Sequence, residues 1–187
     1  MPGLRVISGE AKGRKLKMVP GEGTRPIGDR VKEALFNILG EQVTGASVLD
    51  LFAGTGSVGI EALSRGAAQV VFVDDSRVAI RTILANLETT RLKARSTVVQ
   101  RDAFAYLRSP GAETFDIVYV APPQYQGLWA RALMALDEKP DRLSPDAQVV
   151  VQIDPKEAGI LELTRLLATD ERRYGNTQLN FYTLPGT

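Results

Sequence analysis

The chain has 187 residues, the size of one domain with a short appendage, and its 44% hydrophobic and 24% charged content is ordinary for a globular protein. It contains neither Cys nor His, which excludes disulfides, thiolate metal sites and thiol nucleophiles and removes the commonest general base and zinc ligand, so no metal centre is expected. The net charge is only +1, but residues 1–20 carry Arg5, Lys12, Arg14, Lys15 and Lys17 against Glu10 alone, a basic arm suited to phosphate and equally compatible with a solvated charged hairpin.

In chain order, residues 4–7 and 16–19 read as short strands around Gly9-Glu-Ala-Lys-Gly13. Pro20-Gly-Glu-Gly23 breaks regular structure. Asp29 is the expected N-cap of a helix whose Val31, Leu35 and Ile38 recur at helical spacing before Gly40 stops it. This helix would dock a basic extension, residues 1–40, onto a body of residues 41–187. From Ser47 onward, apolar runs at 48–52, 70–73, 97–100, 117–120 and 149–153 alternate with helical patterns at 57–65, 76–88, 103–107, 128–136 and 156–167. That alternation predicts an α/β fold, a mostly parallel sheet covered on both faces. Residues 178–183 alternate with no helix after them and read as an antiparallel last strand. No apolar run approaches the roughly twenty residues of a membrane span and no charged-then-apolar leader opens the chain, so a cytoplasmic protein is expected.

In such a sheet, ligands bind beyond the carboxyl ends of the strands. Gly54, Gly56 and Gly59 form G-x-G-x-x-G between a strand and a helix, which permits a tight turn and close backbone approach of a nucleotide-like cofactor. Asp50 sits inside the strand, four residues before the first glycine. It would repel a pyrophosphate and welcome the cationic sulfonium and ammonium of S-adenosylmethionine. Asp74, at the end of the second strand, can take two ribose hydroxyls, as an Asp at this distance does in NAD sites too. Asp75-Ser76 reads better as a helix cap. Asp102 can accept from an adenine amine with Ala103 or Phe104 against the base, and can cap the next helix at the same time. After the fourth strand comes Ala121-Pro-Pro-Gln-Tyr125. Pro122 and Pro123 remove two donors and hold the carbonyls outward, and Tyr125 offers a ring to stack on a base.

These motifs, together with Arg5-Val-Ile-Ser-Gly9, Lys12-Gly-Arg-Lys-Leu16, Thr24-Arg-Pro26, Asp29-Arg-Val-Lys-Glu-Ala-Leu-Phe-Asn-Ile-Leu39, Glu61-Ala-Leu-Ser-Arg-Gly-Ala67 and Tyr174-Gly-Asn-Thr177, resemble the class I S-adenosylmethionine-dependent methyltransferases. More narrowly, the chain resembles the RsmD-type enzymes that methylate N2 of a guanine in 16S ribosomal RNA. The resemblance implies a Rossmann-like sheet and S-adenosylmethionine as cofactor. It implies Asp50, Gly54 and Gly56 at the methionine end, Asp74 at the ribose, Asp102 with Ala103 at the adenine, and Phe52 among the cofactor-binding residues. Thr24, Arg25 and Arg30 would lie near the substrate entrance, and Arg5, Lys12, Arg14 and Lys15 would meet 16S ribosomal RNA, within an assembling small subunit. The family's amine-methylating motif is Asp or Asn, Pro-Pro, then Tyr or Phe. Here Ala121 replaces the acid or amide and the ring comes one place late, at Tyr125, so a catalytically weak or inactive cofactor-binding and RNA-binding module is the competing expectation. The same loop would also suit N6 of adenine or N4 of cytosine, whereas methylation of pyrimidine C5 through a thiol adduct is excluded by the absence of Cys.

Overall fold

The structure is a computed structural model and describes residues 3–21, 26–111 and 113–186. Seven strands, β1 (Ser47–Leu51), β2 (Gln69–Asp74), β3 (Ser96–Gln100), β4 (Phe115–Val120), β5 (Leu143–Ile153), β6 (Leu167–Tyr174) and β7 (Thr177–Thr183), form one sheet in the order β3-β2-β1-β4-β5-β7-β6. The first five are parallel, and β7 runs antiparallel between β5 and β6. Side chains alternate across the sheet, as the period of two demands. Val48, Val70, Phe72, Ile117 and Val150 pack with α1 (Asp29–Leu39), α2 (Ser57–Ser64) and α3 (Arg77–Thr90) on one face. Leu49, Val71, Val73, Val118 and Val151 pack with α4 (Ala103–Arg108) and α5 (Leu128–Glu138) on the other.

The N-terminal extension lies along α2 and α3. The Ile7 and Ser8 N–H groups donate to the two carboxylate oxygens of Glu61 at 2.9 and 3.0 Å, and Ala11 N–H donates to Ser64 Oγ at 2.9 Å. Its two arms join as a hairpin with one isolated bridge, Arg5 to Lys15, instead of the two strands expected at 4–7 and 16–19. Val6, Gly13 and Leu16 N–H bond across the two arms, but Ile7, Ser8 and Ala11 N–H turn to α2 side chains and Lys17 N–H to Asn86 of α3, which holds the pairing to a single bridge. Lys32 is fully buried. Its Nζ donates to the Arg5 carbonyl at 2.6 Å and to Ser57 Oγ at 2.9 Å, and lies 3.3 Å from Glu61.

Three further expectations need correction. Gly28, not Asp29, caps α1, and the Asp29 carboxylate instead accepts from Arg5 Nε at 2.9 Å. Residues 156–167 do not form a helix. After a 3-10 turn at Pro155–Glu157 the chain is irregular until β6, because the buried Asp137 takes the N–H groups of Thr164, Arg165 and Leu166 at 2.8 to 2.9 Å. A helix would send those donors to its own carbonyls. Burial works against the Asp137 charge, but those donors outweigh it and hold the carboxyl below its ordinary value. β6 is an additional strand. It is an exposed edge, Leu-Ala-Thr-Asp-Glu-Arg-Arg-Tyr, whose charges discourage pairing with another chain and erase the apolar alternation that would reveal it.

Candidate cofactor and substrate site

The glycine segment leaves β1 as a tight turn. Gly56 adopts φ 79°, and its N–H donates to the Ala53 carbonyl at 2.8 Å. Gly59 brings α2 onto β2, since a Cβ there would sit 2.3 Å from Phe72 Cε1. Phe52, just after β1, is held at φ 62°, a conformation rare outside glycine. Its ring meets that of Phe104 edge to face at 6.0 Å, and the Arg131 guanidinium covers the Phe104 ring at 4.1 Å.

Phe52, Ala53, Phe104 and Arg131 line a cavity of about 840 Å³ at the carboxyl ends of the parallel strands. Asp50 is almost wholly buried beside it, and the one hydrogen bond it accepts from the described residues comes from Gly59 N–H at 3.1 Å. Burial, opposed by that N–H and reinforced by the Asp74 charge, pushes its carboxyl up to about 8. Asp74 accepts from Gly54 N–H and Ser76 N–H, each at 2.9 Å, which fixes the carboxylate at the turn. Asp102 caps α4 through Ala105 N–H at 2.9 Å and also lines the cavity, so capping and facing the site do coexist. Ser76, not Asp75, caps α3.

Phe52, Gly54, Ala103, Ala121, Pro122 and Pro123 join the same wall. Gly56 lies behind the turn against Ile83 and Phe72. Tyr125 is not on the wall. It is 62% exposed at φ 63°, its hydroxyl donates to Asp154 Oδ2 at 2.5 Å, and its N–H donates to Glu157 Oε1 at 2.8 Å. That hydroxyl in turn is the main influence holding Asp154 below the usual carboxylate range. Gln124 faces the cavity in its place.

Tyr119 and Gln152 are site residues that the pattern of the sequence hides, because they sit within strands. Asp50 pairs with Tyr119 across β1 and β4. Burial, then the Asp50 charge, raises the Tyr119 hydroxyl well above its ordinary value, so it stays protonated and donates to Gln152 Oε1. Of the residues expected to meet a large polyanion, Thr24 and Arg25 lie outside the described residues. Arg5, Lys15 and Arg30 are exposed, and the Arg5 carbonyl is tied through Lys32 to Ser57 at the cavity. Lys12 and Arg14 are exposed on the hairpin tip, where Glu10 N–H donates to the Ser64 carbonyl, about 10 Å along α2 from Ser57 at 1.5 Å per residue, and Arg14 Nη1 donates to the Thr89 carbonyl of α3. Among the described residues, no three His, Cys, Asp or Glu are grouped to hold a metal ion, and no helix is long and apolar enough to cross a membrane.

The strand order, the glycine turn after β1 and the carboxylates at successive strand ends define a class I methyltransferase fold. The chain belongs to the family described as Conserved hypothetical protein 95, whose model matches residues 4–183, and this is the RsmD-type family its motifs resemble. YlbH of Bacillus subtilis is 40% identical over 190 residues, spanning 98% of this chain and 100% of that protein. Ribosomal RNA small subunit methyltransferase D of Haemophilus influenzae is 37% identical, over 81% of this chain and 79% of its own. The solved structure of yhhF from Escherichia coli matches with a TM-score of 0.87 at 31% identity, covering 100% of both chains. An RNA methyltransferase from Salinibacter ruber, solved in complex with S-adenosyl-L-homocysteine, shares the fold at 17% identity, with a TM-score of 0.64 over 87% of this chain and 95% of that one.

Proposed function

We propose that this chain is an S-adenosylmethionine-dependent methyltransferase acting on the exocyclic N2 amine of a guanine in small-subunit (16S) ribosomal RNA. The observation that carries the reading is one cavity joining the Asp50–Gly59 cradle to the Ala121-Pro122-Pro123 loop. Membership of the RsmD-type family supports the choice of RNA. When bound, S-adenosylmethionine supplies an electrophilic methyl carbon on a cationic sulfur.

The residues present fit that cofactor. Asp50 is a buried acid whose charge a neighbouring cation would stabilise, and Asp74 is held by two N–H groups with lone pairs left for the ribose hydroxyls. Asp102 keeps one oxygen free of its capping bond for the adenine amine, beside Ala103. Phe52, Gly54 and Gly56 shape the methionine end.

On the substrate side, Pro122 and Pro123 lack N–H groups, so their segment presents carbonyls only. A carbonyl aimed at an amine proton localises the nitrogen lone pair for in-line attack on the methyl carbon. With the donor bound, the nitrogen would take the methyl group as its bond to sulfur is given up, and the amine proton would leave to solvent without a dedicated base. Most of the acceleration comes from holding the two reactants in line. Arg30, Arg5 and Lys15 serve the RNA near the entrance, Lys12 and Arg14 reach phosphates farther down the flank, and Thr24 and Arg25 are assigned to the RNA by the family resemblance alone. Tyr125 belongs to the rim that holds the loop. An assembling small subunit in the cytoplasm is the substrate this reading favours. Incubation with methyl-labelled donor and undermethylated small subunits tests it: label in ribosomal RNA is expected, and none at saturating donor would contradict it.

A further inference from the structure

An arylamine is a poor nucleophile because its lone pair is spread into the ring, so a site that methylates one gains from acceptors on both amine protons. Pro122 offers one backbone carbonyl. Of the other polar side chains on the cavity wall, Gln126 and Asp75 are exposed to solvent, and Thr55 and Ser57 already accept from Ser57 N–H and Lys32 Nζ. Gln152 has its carbonyl engaged by the Tyr119 hydroxyl. Asp50 lies at the buried base of the cradle on Gly59, and Asp74 and Asp102 are held by backbone N–H groups at the ends of β2 and β3. Ala121 has no polar atom.

Gln124 differs from all of these. It lines the cavity directly after Pro122-Pro123, is half-buried, and its amide makes no hydrogen bond to any described residue. Its direction has a cause. The positive φ of Tyr125, the Tyr125 N–H on Glu157 and the hydroxyl on Asp154 turn the ring outward and leave the preceding side chain facing in. A half-buried amide with no partner carries a desolvation cost that a ligand would remove.

We propose that Gln124 is the side-chain reader of the target amine: its Oε1 accepts from one N2 proton while its Nε2 donates to the adjacent ring nitrogen, N3. The pairing rests on the methyltransferase reading above. It makes the insertion of Gln124 and the loss of a polar group at position 121 two halves of one change, with an amide supplied from the far side of the Pro-Pro pair. The bidentate match also demands an amine beside an unprotonated ring nitrogen, so inosine, which lacks the amine, would not be held.

The test is single-turnover methylation of undermethylated small subunits by the full chain, with donor affinity measured by calorimetry. Gln124→Met keeps the length and removes both polar groups. It is expected to lower the maximal rate about 10- to 100-fold, the cost of one buried hydrogen-bonding partner, with donor affinity and melting temperature unchanged. Ala121→Asn is expected to speed the Gln124→Met chain at least ten times more, in ratio, than it speeds the native chain. An undiminished rate in Gln124→Met, or an equal gain from Ala121→Asn in both backgrounds, would overturn the inference. Absence of any methyl transfer by the native chain would strike the proposed function instead.

Discussion

Between pH 6 and 7.5 the cofactor-free chain holds a proton on Asp50, because burial pushes that carboxyl up to about 8 from 3.8. A cationic donor beside the group needs its charge, so binding must expel the proton. At pH 7 roughly one chain in ten carries the ionised form, and at pH 6 roughly one in a hundred, so the apparent Kd weakens about tenfold for each unit of pH lost. The window stops at 7.5 because the donor's own amino group titrates at about 8. Calorimetry in buffers of different ionisation heat reads the effect directly, as release of close to one proton per donor bound at pH 6.5. Asp50→Asn is expected to abolish both the proton release and the pH slope, and to weaken binding at pH 7.5 about tenfold. The stability of the free chain carries the matching sign. The folded state holds the extra proton between about 4 and 8, so the contribution of Asp50 falls as pH rises through that range and levels off above it. A Kd that stays flat from pH 6 to 7.5 with no proton release would refute the reasoning.

Gly59→Ala places a Cβ 2.3 Å from Phe72 Cε1 and 2.9 Å from Val70 Cγ1; a loss of about 1 to 3 kcal/mol in urea unfolding is expected, and an unchanged midpoint would mean that α2 can shift without cost. Lys32→Met strips a buried partner from Glu61 and unties the Arg5 carbonyl from Ser57. It should cost about 3 to 5 kcal/mol by the same measurement, and a neutral result would show that Arg65, whose Nε donates to Glu61 Oε2 at 2.7 Å, and the Ile7 and Ser8 N–H groups satisfy Glu61 without it. Lys12→Ala with Lys15→Ala should weaken ribosomal RNA binding and lower the slope of log K against log salt by about 0.7 to 0.9 for each phosphate no longer neutralised, leaving donor affinity intact; a salt dependence equal to the native one would remove both residues from the RNA interface.

What could be read from the sequence is what backbone geometry forces. The turn at Gly56 needs a positive φ and the packing at Gly59 needs the absence of a Cβ, so both announce themselves as glycine, and the strand-end acids follow from where the strands stop. What could not be read depends on partners distant in the chain. Asp137 prevents a helix nearly thirty residues downstream by capturing its donors. β6 pairs along one edge and buries too little to show an apolar stripe. Tyr119 and Gln152 look like ordinary strand residues until registry sets Tyr119 beside Asp50. Within the Pro-Pro loop, the ring draws attention in the sequence, yet one positive φ and two carboxylates from beyond β5 turn it away and leave Gln124 facing inward.

Nucleoside analysis of small-subunit ribosomal RNA after reaction with the purified chain and methyl-labelled S-adenosylmethionine tests the central claim most directly. The account predicts label in a single product, N2-methylguanosine, at one position. Label confined to N6 of adenosine or N4 of cytidine, or donor bound at the cradle with no label transferred to the RNA, would contradict it.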